Sequence, residues 1–235
     1  MIFDGHGDVW TDVTCRAVDH GERDIFRKHH LHKFQEGGVT GGIFVIWIDP
    51  YDSDPVKRSK QIVKSIKQEM EDSADILNFV KKYDDFEKGT KEGKLNIVTG
   101  MEGLSQIGED IDMINYFYDE VGVRHAMLTW NELNALATGW PVDVTRGLTE
   151  AGKKAVKRIQ DLGMVMDVSH LNDKCFWGVI DLAQGPIIAS HSNARSVCPA
   201  MRNLTDDMLK AIAKTGGLVG MNSMREFISE KHDEQ

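Results

Sequence analysis

The chain has 235 residues, which suits one large domain with a substantial core better than two small ones. Its 28 Lys and Arg stand against 37 Asp and Glu, a net charge of -9, and that balance argues against a nucleic-acid or anionic-membrane partner, either of which wants a basic face. No apolar run is long enough to span a bilayer and no charged-then-apolar leader is visible. The three cysteines, Cys15, Cys175 and Cys198, are odd in number and widely spaced, so the expectation is reduced thiols in a cytoplasmic protein.

The chain opens on Ile2-Phe3-Asp4-Gly5-His6-Gly7-Asp8. On a β-strand, residues two apart share a face, so Asp4, His6 and Asp8 are expected to point the same way. Two carboxylates and an imidazole at that spacing are half of a metal site. Further strand-like runs are predicted at 41–48, 95–101, 123–130, 164–169, 186–190 and 217–222; most are short and continuously apolar, as buried parallel strands are. Helices are predicted at about 55–88, 110–121, 149–162, 173–183 and 205–215. Thr149 is expected to cap one start and Gly163 to end that helix, while Thr205-Asp206-Asp207 opens another. His20, His29, His30 and His32 fall in a polar, loop-like segment and read as surface residues; His125 and His232 read as surface or structural.

Strand-then-helix repetition means a parallel sheet with helical crossovers, either doubly wound or a (β/α)8 barrel. Polar residues sit at the C-terminal ends of several strands, which is the barrel habit. No glycine-rich phosphate loop follows the first strand, which weakens a doubly wound nucleotide binder. The predicted strand ends bring His6 and Asp8, then Glu102, then His170, then His191. A lone His170 or His191 at a strand end is more often a hydrogen-bonded structural histidine, and a lone Glu102 before glycine more often a solvated turn residue. Together, imidazoles and carboxylates suit Zn²⁺ or a similar ion, and they suffice for a metal pair if one carboxylate bridges. Two ions about 3.5–4 Å apart share a hydroxide and polarise a carbonyl, which is hydrolytic machinery for an amide or ester-like bond. Asp4 and Asp167 are candidates either to orient a ligand imidazole or to cap main chain. Met127, Met164, Met166 and Met221 read as core filler. Trp10, Trp47, Trp140 and Trp177 read the same way, with Trp10 the best candidate among them to line a pocket beside Asp8.

These residues resemble the renal (membrane) dipeptidase family, metal-dependent dipeptidases built on a (β/α)8 barrel. The matching motifs are Asp4-Gly5-His6-Gly7-Asp8, Gly100-Met101-Glu102-Gly103, Leu128-Thr129-Trp130-Asn131, Asp167-Val168-Ser169-His170 and Ser190-His191-Ser192-Asn193-Ala194-Arg195, followed by Arg202-Asn203. They run in family order over almost the whole chain. The resemblance implies a single hydrolase domain over 1–235, of TIM-barrel type with about seven βα units, and two zinc ions per chain. His6 and Asp8 would hold one ion, His170 and His191 the other, and Glu102 would bridge. Arg202 matches the arginine that binds a substrate carboxylate, a role that suits a guanidinium fork. The implied substrate is a dipeptide, with a D-residue often tolerated at its C-terminal position; many relatives are dimers, so a homodimer is the partner state the resemblance leaves open.

Two departures stand out. Trp130 occupies a position where some members carry a substrate-contacting histidine. An indole donates one N–H and cannot titrate, so Asn131 and Asn134 become candidate donors to the substrate. After 217–222 the chain ends in a charged stretch, 226–235, without the family's eighth-strand aspartate motif, which leaves the expectation of a C-terminally shortened barrel that keeps its metal ligands and lacks a proton-transfer group. The competing readings are another metal-dependent amidohydrolase (deaminase, lactonase or acyl-amino-acid hydrolase) and a metal-binding fragment without activity.

Overall fold

The structure is a computed structural model that describes residues 2–229. His232 and the end of the charged stretch, 230–235, lie outside the described residues. The chain divides into two compact units, Met1–Glu102 with Asn115–His125, and Gly103–Ile114 with Ala126–Gln235.

In the first unit, β1 (Ile2–Gly7), β2 (Val39–Trp47) and β4 (Leu95–Glu102) pair in parallel in that order, and β3 (Leu77–Phe79) pairs with β4. The run Ile43-Phe44-Val45-Ile46 is buried throughout, because a central parallel strand is covered on both faces. Helix α1 (Val9–His20) and helix α3 (Pro55–Asp72) pack together over the sheet. The start of α3 is written in Asp54-Pro55: the Asp54 carboxylate accepts from Lys57 N at 2.9 Å, and proline fills the first turn where no N–H is needed. Its buried stripe is Ile62, Val63 and Ile66. The rings of Trp10, Phe26, Phe34 and Phe79 surround this core, with Trp10 edge-on to Phe44 at 5.4 Å and stacked on Phe79 at 5.9 Å.

The second unit carries β6 (Val165–Asp167) and β7 (Ile187–Ile188), paired in parallel. Around them lie α6 (Glu150–Asp161), α7 (Asp173–Asp181) and α8 (Asp206–Lys214). Thr149 caps α6 through Gly152 N at 2.9 Å, and Thr205 caps α8 through Met208 N at 3.3 Å, both as predicted. Val156, Ile159, Phe176, Val179 and Ile212 bury the helices' inner faces. The parallel α/β architecture expected from the βα alternation is the fold found. Helix α5 (Met113–Glu120) and strand β5 (Val123–Met127) complete the order of major elements between β4 and α6.

The structure corrects several local expectations. The long helix predicted at 55–88 is three elements: α3, then β3, then α4 (Tyr83–Lys91). Ile76 N and Leu77 N both turn back to Ser73 O, at 3.0 and 2.9 Å, and the alternating Leu77 and Phe79 enter the sheet. The apolar pattern there fits either period, and pairing with β4 decides it. The polar segment read as loop is α1, a π-helical turn Phe26–His30 and α2 (Leu31–Glu36). His20 and His32 are exposed as expected, but His29 and His30 are half-buried against carboxylates, with His29 Nε2 2.6 Å from Glu22 and His30 Nε2 2.8 Å from Asp12. The strand expected at 217–222 is reduced to one parallel bridge, Val219 to Ala189. Trp10 is fully buried core, as the filler reading expects, and not a pocket wall, whereas Trp177 and Met221, also read as filler, are 39% and 77% exposed. All three cysteines are free thiols. Among the described residues, no helix is long and apolar enough to cross a membrane.

Candidate functional site

In the first unit, strand register positions the candidate ligands. Gly7 and Thr99 both lie opposite Phe44 of the intervening β2, so the ends of β1 and β4 come level two strands apart. Neighbouring strands are about 4.8 Å apart, a gap that two side chains reaching inward can close. His6 Nε2 lies 3.4 Å from Glu102 Oε2. Asp8 occupies the cap position of α1, immediately beyond β1. Burial pushes its carboxyl above the usual range; the negative charges of Glu102 and Asp4 add to the rise, and His6 opposes it. Glu102 is itself 6% exposed. A buried carboxylate, Glu102, with the exposed Asp8 carboxylate crowding it beside an imidazole is a cost without a cation and a ligand set with one, so the donor chemistry fits a divalent metal. Asp4 proves to be main-chain capping: its Oδ1 accepts from His6 N at 3.0 Å, fixing the bend that turns His6.

In the second unit, hydrogen bonds position the candidates. Asp167 is fully buried and its Oδ1 accepts from Ser169 N at 2.8 Å and Ser190 N at 3.2 Å, tying the ends of β6 and β7 together. Three residues beyond Asp167, His170 holds φ at 70°, a left-handed conformation that costs a non-glycine residue on the order of 1 kcal/mol. The conformation aims the ring at His191: the two Nε2 atoms are 2.8 Å apart. The Nδ1 atoms face outward, that of His170 to Asn131 Oδ1 at 2.7 Å and that of His191 to Ser190 Oγ at 2.8 Å. Two imidazoles sharing one point through Nε2, with Nδ1 engaged by oxygens, is the arrangement metal-ligating histidines adopt.

Arg202 is 4% exposed and sits beside His191, donating through Nη1 to Ser192 Oγ at 2.7 Å and through Nη2 to His191 O at 3.0 Å. Its guanidinium carbon is 6.0 Å from the Phe227 ring centroid. Phe227 was read only as part of a charged tail. Its carbonyl accepts from Asn193 Nδ2 at 3.0 Å and Asn203 Nδ2 at 2.9 Å, which holds Phe227 beside Arg202. The sequence signal was the pair Phe227-Ile228, apolar within an otherwise charged stretch. Ser190 was also missed as a partner for its neighbour His191. Trp130 lies 6.5 Å from the His170 ring, and Asn134 is spent inside its loop, donating to Leu128 O and Glu132 and accepting from Leu136 N and Ala137 N.

The family profile described as Membrane dipeptidase (Peptidase family M19) matches residues 1–235. The chain belongs to that family of metallo-dipeptidases, as the motif resemblance implied. It is 34% identical to a protein of Acinetobacter calcoaceticus named for the PQQ-III 3′ region, over 94% of this chain and 79% of that one. It is 28% identical to Dipeptidase 3 of Mus musculus over 93% of this chain and 46% of that one, so it spans about half the length of that relative. Among solved structures, it superposes with a TM-score of 0.86 and 25% identity on a metallo peptidase from Rhodobacter sphaeroides liganded with a phosphinate mimic of the dipeptide L-Ala-D-Ala, covering 100% of this chain and 77% of that one.

Proposed function

We propose that the protein is a zinc-dependent dipeptidase that hydrolyses the amide bond of dipeptides, D-configured C-terminal residues included. The observation that carries the reading is the pair of imidazole Nε2 atoms meeting at 2.8 Å, His170 with His191. The crowded acids Asp8 and Glu102 beside His6 support it from the first unit. In this reading His6, Asp8 and Glu102 form one donor set, and His170 and His191 the other. Bound ions would supply Lewis acidity to the peptide carbonyl and lower the pKa of water toward about 7. Arg202, held rigid by Ser192 and the His191 carbonyl, supplies the fork for the substrate's terminal carboxylate. A clamp at the terminal carboxylate selects dipeptides over longer peptides by length. The dipeptide mimic held by the Rhodobacter sphaeroides relative is of that substrate class.

The test is release of free alanine from L-Ala-D-Ala by the zinc-loaded chain, with bound metal measured on the same sample. Hydrolysis lost on Glu102→Gln or His191→Ala is the expected result. Tight zinc binding with no hydrolysis of any dipeptide in a panel of L,L and L,D pairs would leave a metal-binding protein and overturn the enzyme reading.

A further inference from the structure

The loop after β5 reaches back to a strand end that it does not belong to. Asn131 Oδ1 lies 2.7 Å from His170 Nδ1, and Trp140 N donates to His170 O at 2.7 Å. One loop therefore holds both the ring and the backbone of a residue strained at φ 70°. Asn131 is itself held in place through its neighbour. Glu132 is 5% exposed, accepting from Trp130 N at 3.0 Å on one side of Asn131 and from Asn134 Nδ2 at 2.8 Å on the other.

We propose that Asn131 is a positioning residue for His170. Its amide oxygen accepts the Nδ1 proton, which leaves the Nε2 lone pair directed at the point that His191 also faces. This rests on the metal reading above and deepens it. A neutral imidazole carries one ring proton, and an acceptor at Nδ1 decides which nitrogen keeps it. An amide suits the task better than a carboxylate here, because it fixes the tautomer without adding a charge beside the site. Ser190 Oγ stands in the same relation to His191 Nδ1, at 2.8 Å. The sequence pattern gave Asn131 a part as a donor to the substrate; the hydrogen bond engages its oxygen with the ligand instead.

The experiment titrates zinc into the full chain against a chromogenic chelator, comparing wild type, Asn131→Ala and Asn131→Asp. Loss of the acceptor in Asn131→Ala is expected to weaken one zinc step by about 10–100-fold, the effect typical of removing a ligand's hydrogen-bond partner. Asn131→Asp keeps an acceptor oxygen and is expected to retain that step. Wild-type affinity in Asn131→Ala overturns the proposal and leaves the dipeptidase reading standing. Failure of the wild type to bind zinc overturns both. A second readout needs no variant: in ¹⁵N-labelled zinc-loaded wild type, the His170 imidazole is expected to show a protonated Nδ1 and a zinc-bound Nε2. The opposite tautomer overturns the role of Asn131 whatever the variants do.

Discussion

The two units hold their candidate ligands by different physics. In the first, His6, Asp8 and Glu102 are placed by the register of three parallel strands and crowd like charges, so that burial and Glu102 together drive the Asp8 carboxyl upward. In the second, His170 and His191 are placed by hydrogen bonds to the Asn131 amide oxygen and the Ser190 hydroxyl, with the Asp167 carboxylate accepting from main chain at both strand ends. The difference suits the chemistry of each donor. A carboxylate offers several lone-pair directions and tolerates approximate aim. An imidazole offers one nitrogen along one line, and needs its ring plane and its tautomer fixed.

The largest effects are expected where the backbone itself sets a ligand's height. Gly100 lies two residues before Glu102, and a methyl there would stand 2.5 Å from His125 Nδ1 and 2.8 Å from Ile43 Cγ2. Both neighbours are buried, at 0% and 8% exposure, and have little room to move. Gly100→Ala is expected to destabilise by about 3 kcal/mol through overpacking, read as a shift in the denaturant midpoint. The matching change in the second unit is Gly220→Ala, whose methyl would run into Ser190 O, the carbonyl just before His191. Because that oxygen is backbone, closer still and unable to rotate aside, Gly220→Ala is expected to cost at least as much, and a much smaller loss would show that the strand ends of the second unit yield where those of the first do not.

A smaller effect tests the buried charge on which the first unit relies. Glu69 is 2% exposed, and its carboxylate accepts from Ile25 N and Phe26 N, each at 2.9 Å, and from Ser73 Oγ at 2.8 Å. It anchors the start of the π-helical turn to the end of α3. Glu69→Ala strands three buried donors, and a loss of about 2 kcal/mol is expected. Hydrogen exchange should quicken across 25–36 and stay unchanged in β6 and β7. A uniform increase would show that the anchor supports the whole chain and not its own unit.

What the sequence discloses divides along similar lines. The places of His6, Asp8, Glu102, His170 and His191 at or just beyond strand ends are legible because strand ends and caps are local signals. The Thr149 and Thr205 caps were legible for the same reason. The β3 strand was not, since Ile76, Leu77 and Val80 satisfy a helical period and only pairing with Leu95–Ile97 shows otherwise. The helical segment after Asp8 was hidden by its charges. Arg16, Glu22, His29 and His30 look like a loop until the ion pairs that satisfy them are seen. Trp10 reads as core from its residue type, and its ring packs on Phe44 and Phe79, while its closeness to Asp8 in sequence suggests a pocket role that the packing does not give it. Phe227 supports Arg202 across a separation of 25 positions, which no periodicity could reveal.

The smallest expected effect is the dependence on pH, and it should separate the two units cleanly. Burial holds the His30 imidazole below its ordinary 6.5, although its hydrogen bond to Asp12 pulls the other way. The unfolded chain therefore takes up that proton first, so stability is full above 6.5 and falls as the pH drops through the lower folded value. Asp12 is held below its usual 3.8 mainly by Arg16 and His30, against burial, and Asp72 by the hydrogen bond from Arg23. Those carboxylates stabilise the fold above 3.8 and release that contribution in a second step at lower pH. Asp8 works in the opposite sense: raised by burial and by Glu102, it protonates more readily in the folded chain, so acid relieves the crowding at the end of β1. Hydrogen exchange followed from pH 7 downward, after correction for the intrinsic rate, should show 12–30 loosening in two stages. The turn at Asp8 should not follow it. The amides of β6 and β7, tied by the Asp167 carboxylate and the Ser169 hydroxyl, are the reference against which the first stage is read. Loosening of β6 together with α1 as the pH falls below 6.5 would mean that the hydrogen bonds of the second unit are no less acid-sensitive than the ion pairs of the first.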